Sequence, residues 1–426
     1  MEGSTEPPSS NLIKLNVITE QNISHNARHI WEEIRTANTH PSRRSYHSAV
    51  MWNEKMIIYG GQDLREGPQS GLWWIEISQF DQGEWEEAKI EASPICRHSA
   101  IIKNDLMYVF GGTDGVNEFN KTIVISLNTM GSRLILPDRK DCPPSLDSHS
   151  AVLYEDGTAA WMIVFGGFAI GHRSNSVYSL NLSSEKWKVA HTNQGPRGRS
   201  NHSAVVYKDH MIIFGGTNDE GEKMNDLWKL DLRTYVWEEI VGNGDKPSSR
   251  SGHSAVVYTD LMIVFGGMKD ITKETNDMYT YNIENNTWVL CQFEHQIKDP
   301  VTNEQLEEFK KSKASPVKNR NESSKSPTRK NTLEVYSPGK TKKSSESASP
   351  ETNSGPKKRK TLYDGPASPV TGRIRAHPPH PRDGHSAVIT NSTMVIFGGD
   401  RHQMPFNDTY VYFLVDQTLR TPVRTE

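Results

Sequence analysis

A block that opens His-Ser-Ala and closes Gly-Gly recurs six times in this chain, and its spacing limits the fold more than any other feature. It starts at His47, His98, His149, His202, His253 and His385, as in HSAVVYKDHMIIFGG from His202 and HSAVVYTDLMIVFGG from His253. Successive histidines lie 51, 51, 53, 51 and 132 residues apart, so the last interval holds one ordinary repeat and 81 further residues. Self-similarity at a fixed period of about fifty residues marks an array in which each unit is one supersecondary element.

Each unit carries the parts of a four-stranded antiparallel sheet. His-Ser-Ala-Val opens a half-apolar strand, and a polar turn such as Lys208-Asp209 reverses the chain. A near-continuous apolar run such as Met262-Ile263-Val264-Phe265 then reads as a buried strand ending at the glycine pair. Paired glycines permit positive φ and close backbone approach where neighbouring units crowd. A third strand follows an Asn-Asp turn, as in NDLWKLDL from Asn225, and a fourth carries Trp85, Trp187, Trp237 or Trp288. In the unit from His98 to His149, Leu134 stands near where tryptophan is expected.

The two ends of the repeat array complement each other. NARHIWEEI around Trp31 matches the tryptophan strand around Trp237, although no His-Ser or Gly-Gly unit precedes it. After the sixth Gly-Gly, NDTYVYFL from Asn407 supplies a third strand and no tryptophan strand follows. Joining the surplus strand to the incomplete unit closes a ring and removes exposed sheet edges.

In His-Ser-Ala, Gly-Gly and tryptophan at consistent offsets, from about Ile30 to Leu414, the chain resembles the kelch family of β-propellers. The expected fold is all-β: a six-bladed kelch-type propeller closed by an N-terminal strand, with a long disordered basic insertion in the last blade connection. The expected boundaries are a flexible segment over 1–24, blades one to five with the closing strand over 25–293, the insertion over 294–376, the sixth blade over 377–416 and a tail over 417–426.

Charge divides the chain. The net charge is −3, but residues 310–375 hold 17 Lys/Arg against 5 Asp/Glu, so a +12 segment is set in a chain that is otherwise −15. Rich in Ser, Pro and Lys and poor in apolar residues, this segment is expected to be disordered. Within it, Lys357, Lys358, Arg359 and Lys360 after Pro356 resemble a nuclear-localisation signal. Ser315, Ser326 and Ser337 precede proline and have Lys or Arg three residues on, a pattern suited to a proline-directed kinase. With one aromatic, Tyr336, between residues 310 and 360, base stacking is not supported and nucleic-acid binding would rest on phosphate contacts. The start MEGSTEPPSS lacks the features of a secretory signal, and no apolar run approaches a membrane span. Three cysteines are too few for a disulfide framework. Location in the nucleus, the cytoplasm or both is expected, with no membrane partner.

Two sets of repeated residues invite a chemical reading. Six histidines spread round a ring suit a structural role, because a metal needs three or four ligands within about 2 to 2.5 Å of one point; no metal, cofactor or catalytic residue is expected. Three residues before four of the histidines stand Arg44, Arg199, Arg250 and Arg382, with Ile95 and Leu146 at the other two positions. Such an arginine either satisfies carbonyls of its own loop or, as the resemblance to substrate-recruiting kelch domains implies, grips carboxylates of a bound peptide at the propeller mouth. The resulting expectation is a non-enzymatic scaffold or adaptor whose mouth binds a partner protein or acidic peptide. The alternatives are a substrate-recognition subunit acting with a separate ubiquitin-ligase component, or a kelch-like propeller enzyme.

Overall fold

The computed structural model describes residues 31–36, 39–79, 84–91, 93–137, 141–293 and 372–414, all within one unit of the chain. The described residues form six sheets of four or five strands, each built around one copy of the repeat, and three two-stranded ones. Blade four runs outward through Ser203–Tyr207, His210–Phe214, Leu227–Asp231 and Val236–Ile240. Blades one, two, three and five repeat that order from Ser48–Trp52, Ser99–Lys103, Ser150–Glu155 and Ser254–Tyr258. Each innermost strand packs against the next, and that of blade six, Ser386–Thr390, meets that of blade one.

Burial explains the sequence pattern. The second strand of each blade is covered on both faces by its neighbours, so it reads as an unbroken apolar run; Met211, Ile212, Ile213 and Phe214 are all buried. The outer strand faces solvent and buries chiefly its tryptophan. That tryptophan packs on the phenylalanine ending the second strand of the preceding blade: Trp85 on Phe397, Trp187 on Phe110, Trp237 on Phe165, Trp288 on Phe214 and Trp31 on Phe265, with ring centroids 5.0, 4.8, 4.9, 5.2 and 5.3 Å apart. These contacts tie every blade but the second to the one before.

Closure occurs where expected. Trp31–Arg35 pairs antiparallel with Thr409–Phe413 and supplies the missing outer strand of blade six. A fifth strand, Gly372–Ala376, then pairs with the outer edge of the closing strand, from Trp31 opposite Ala376 to Arg35 opposite Gly372. The insertion boundary at residue 376 is therefore corrected: residues 372–376 belong to blade six. Their Arg-Ile-Arg alternation is a strand pattern hidden by its basic composition. Phe293, at the other side of the gap, packs 6.0 Å from Trp31, so both described ends of the insertion flank the closing strand.

A second correction concerns blade two. Trp237 stands opposite Leu230, and the equivalent pairing in blade two sets Ser132 opposite Ile125. Ser132, not Leu134, occupies the tryptophan position. The expectations for residues 1–24, the disordered stretch of the insertion over 294–371 and the tail over 417–426 lie outside the described residues, as do Ser315, Ser326, Ser337, Lys357, Lys358, Arg359 and Lys360.

Candidate interaction face

The repeated residues build two closed rings about the propeller axis. In the first, each histidine Nε2 bonds the serine Oγ at the same position of the preceding blade: His47 to Ser386, His98 to Ser48, His149 to Ser99, His202 to Ser150, His253 to Ser203 and His385 to Ser254, at 2.7 to 2.9 Å. Burial holds all six imidazoles far below their ordinary pKa, with His98, His149 and His253 lowered to about 3. They are neutral structural groups. Among the described residues there is no grouping of His, Cys, Asp or Glu suited to a metal ion.

The second ring is made of main chain. The residue just before each histidine has positive φ, and its N–H donates to the carbonyl of the same position one blade back. The circuit runs Arg97 to Tyr46, Ser148 to Arg97, Asn201 to Ser148, Gly252 to Asn201, Gly384 to Gly252 and Tyr46 to Gly384, with N to O distances of 2.7 to 2.9 Å. Six bonds satisfy backbone groups at the crowded axis that water would otherwise have to reach.

The glycine pair is what lets blades approach so closely. In blade four, a Cβ on Gly215 (φ 64°) would lie 2.7 Å from the Arg250 carbonyl oxygen of blade five, and one on Gly216 (φ 101°) would lie 2.8 Å from His202 Cβ. The Gly216 N–H donates to that same Arg250 carbonyl at 2.9 Å.

Side chains of the second ring surround a cavity of about 130 Å³ floored by the histidines. They differ from blade to blade: Tyr46, Arg97, Ser148, Asn201, Gly252 and Gly384. Tyr46 leans over Gly384 and donates its hydroxyl to Asp383 Oδ2 at 2.6 Å. Arg97 is exposed, with its guanidinium 5.4 Å from the Tyr46 ring centroid and no carboxylate of the described residues in ion-pair contact. Burial, together with the negative charges of Asp400 and Glu274, pushes the Asp383 carboxyl up to about 6 despite the Tyr46 bond. The mouth is thus lopsided. Blades two to four present a guanidinium, a hydroxyl and an amide, whereas blades five and six present bare glycine backed by carboxylates.

A family model described as the KLHDC2/KLHL20/DRC7 Kelch-repeats domain matches residues 21–138 and 132–310, more than half of the chain. The chain belongs to the kelch-repeat family. Among its curated relatives, Kelch domain-containing protein 3 of Rattus norvegicus is 28% identical over 249 residues, 55% of this chain and 63% of that protein. Kelch domain-containing protein 2 of Bos taurus is 24% identical over 295 residues, 60% of this chain and 70% of that protein. Host cell factor homolog hcf-1 of Caenorhabditis elegans is 26% identical over 298 residues, 60% of this chain and 37% of that protein. The match spans less than two thirds of the rat and nematode relatives. No helix among the described residues is long and apolar enough to cross a membrane.

In this kelch propeller the four arginines hold the loops of their own blades. Arg44, Arg199, Arg250 and Arg382 are at most 2% exposed. Each donates Nη1 to the carbonyl of the first glycine of its own pair, Gly60, Gly215, Gly266 or Gly398, at 2.7 to 3.0 Å. Arg199, Arg250 and Arg382 also form two-point contacts with Asp226, Asp277 and Asp408. Burial opposes ionisation of Asp226 and Asp277, yet Arg199 and Arg250 hold both below the usual carboxylate range. With their donors engaged and no exposed surface, these arginines present nothing to a peptide, and the loop-holding role replaces the peptide grip. Arg44 has no such aspartate, and burial lowers it to about 10.

Sequence reasoning missed two things that the sequence does signal. Asp226, Asp277 and Asp408 follow their arginines by 27, 27 and 26 residues, whereas Gly71, Lys121 and Ser176 hold the equivalent place in the other three blades. The mouth residues directly precede the invariant histidines and are the variable members of a constant block.

Proposed function

We propose that this kelch propeller is a non-enzymatic interaction module that engages a protein partner at the mouth ringed by Tyr46, Arg97, Ser148 and Asn201. The observation that carries this reading is the contrast between a ring whose main chain is the same in all six blades and side chains on it that differ in all but two. The frame uses only the backbone at these positions, so their side chains are free to be chosen for recognition. Arg97 offers planar donors, which no carboxylate of the described residues engages, to a carboxylate of the partner, and the glycine sector leaves room for its main chain. Membership of the kelch family supports a protein partner over a small substrate, while fold alone does not name it.

The test uses the intact chain, because the basic segment belongs to the proposal as a regulatory and nuclear-targeting element. Affinity purification with quantitative mass spectrometry compares the parent with Arg97→Asn, which places at this ring position the residue blade four already uses. Loss of the recovered partners at unchanged melting temperature supports the mouth. Full recovery of every partner by the variant overturns it.

A further inference from the structure

We propose that the loops leading from the glycine pairs form an apolar rim around the mouth, a docking surface for a folded protein that presents an aliphatic face with a Lys or Arg set against blade four. The inference rests on the reading of this face as the interacting one and extends it from the mouth outwards. In blade four Ser203 and Leu227 both stand opposite Phe214, and Leu227 also stands opposite Ile240, so the first strand starts where the second ends and the third begins. The loop after the glycine pair therefore rises beside the mouth, and a bridge such as Ser200 to Thr217 ties it to the connection that enters the next innermost strand in every blade. Eleven large hydrophobic side chains are exposed among the described residues. Leu64, Val116, Ile170, Ile271 and Met404 stand at the tips of these loops in blades one, two, three, five and six, and the other six lie on outer strands or one residue past them. None of the eleven is in the turns at the opposite end.

The folding of the loops does not call for such tips. Asp63, Asp114, Asp270 and Asp400 accept main-chain N–H groups at the tips at 2.6 to 2.9 Å, which fixes these turns without help from the apolar side chains. Ile170 and Gly171 form the two-residue turn of a short hairpin, with φ of 51° and 83°. A turn with positive φ at both positions prefers Asn-Gly, and a β-branched residue there is strained. Ile170 occupies it all the same and is 80% exposed. The fold gains nothing from this isoleucine that asparagine would not supply, whereas a partner that covers it does. Tips already fixed lose little entropy when covered.

Two observations set the partner's chemistry. The tips stand on five of the six blades, so an object that meets several together is broad, a folded surface rather than an extended segment in a cavity of about 130 Å³. Blade four breaks the rim with Asp219, Glu220 and Glu222 in place of an aliphatic tip; Asp219 pairs with Arg173, while Glu220 and Glu222 are exposed. Carboxylates there select Lys or Arg on a protein partner and repel an anionic bilayer, whose docking segments carry cations and Trp or Tyr.

The test uses the full chain. A photo-cross-linking amino acid is placed at residue 116, 170 or 271, or at residue 259 in a turn of the opposite end, and the proteins captured in cells are quantified. One protein captured from all three rim positions and not from residue 259 is expected. A Val116→Asn/Ile170→Asn/Ile271→Asn variant should lower its recovery about tenfold, with melting temperature unchanged or raised because asparagine suits the turn at 170. Glu220→Lys/Glu222→Lys should lower it about threefold. No common capture, or full recovery by the folded triple variant, overturns the proposal. If the triple variant fails to fold, Ile170→Asn alone is read, with a loss of about threefold expected and equal recovery overturning the proposal. Capture of a second copy of this chain, or flotation of the parent but not the variant with phosphatidylcholine–phosphatidylserine vesicles, assigns the rim to another occupant and overturns it as well. Arg97→Asn run in parallel separates the two readings: loss there with full recovery by the rim variant removes the rim and keeps the mouth, and the reverse keeps the rim and removes the mouth.

Discussion

Blade four and blade two share the same inner construction and differ in almost everything outside it. Both contribute a histidine, a serine, a glycine pair and one link of the main-chain ring. Blade four adds a buried Arg199 with Asp226, and Trp237 on Phe165. Blade two has buried Ile95 where the arginine stands, Lys121 where the aspartate stands and Ser132 where the tryptophan stands. Blade three shows an intermediate case, with buried Leu146 and Ser176 as the corresponding pair and Trp187 retained. The comparison teaches that the inner rings define a blade, whereas the outer parts are exchanged in matched sets: a buried cation is present with its carboxylate, or both are absent. Arg44 is the exception, and its lowered pKa marks the cost of a guanidinium buried without that carboxylate.

The sharpest way to strain what the two blades share is acid. His98, His149 and His253 are neutral in the folded state down to about pH 3, whereas the unfolded chain takes up protons near its ordinary value of about 6.5. The unfolded state then binds more protons, so stability is full above about pH 6.5 and falls as the pH drops towards 3. At pH 5 the loss is about 2 kcal/mol for each of these three histidines, and His47, His202 and His385 add to it in the same direction. Denaturant titrations at pH 7 and pH 5 should show a large fall; overlapping curves would mean the imidazoles are not buried neutral groups.

Breaking one matched set comes next in size. Asp226→Ala leaves the Arg199 guanidinium buried without its carboxylate and should cost about 3 kcal/mol. Arg199→Leu/Asp226→Ser, which copies blade three, should recover much of that loss. A double-mutant cycle in which the two changes simply add would contradict the idea of sets. Trp237→Ser, which copies blade two at one position only, should also destabilise by about 3 kcal/mol, read by the same titration, because no other outer-strand ring covers Phe165.

The smallest expected effect lies where blade one departs from its neighbours. Tyr59 ends its second strand where the other five blades have phenylalanine, and its hydroxyl is buried without a hydrogen-bond partner among the described residues. Tyr59→Phe should be neutral or stabilise by up to about 1 kcal/mol, visible as a small rise in melting temperature. A clear loss would reveal a partner for that hydroxyl.

The same contrast explains what could be read from residues alone. Groups that recur in all six units, such as His202, Ser203 and Gly215, were legible because a periodic pattern has one periodic cause, a radial array. The closing strand was legible because Trp31 repeats the Trp237 pattern with no unit of its own. Positions that do not recur were harder. Gly372–Ala376 looked like part of a solvated basic run because its strand character rests on two arginines and one isoleucine. Arg199 looked like a ligand-binding residue because its neutralising partner, Asp226, is distant in sequence and close only after two strands pair. Arg97 was passed over because a single exposed arginine has no repeat to announce it.

If the variable mouth residues recognise the partner and the buried arginines hold the structure, changes at the two sets separate binding from stability. Partner recovery and melting temperature are read together on the parent, Arg97→Asn and Arg199→Leu/Asp226→Ser. Arg97→Asn is expected to melt with the parent and lose its partners, while the buried-pair variant keeps its partners whatever small change its melting shows. Partners retained by Arg97→Asn and lost from a well-folded Arg199→Leu/Asp226→Ser protein would contradict it.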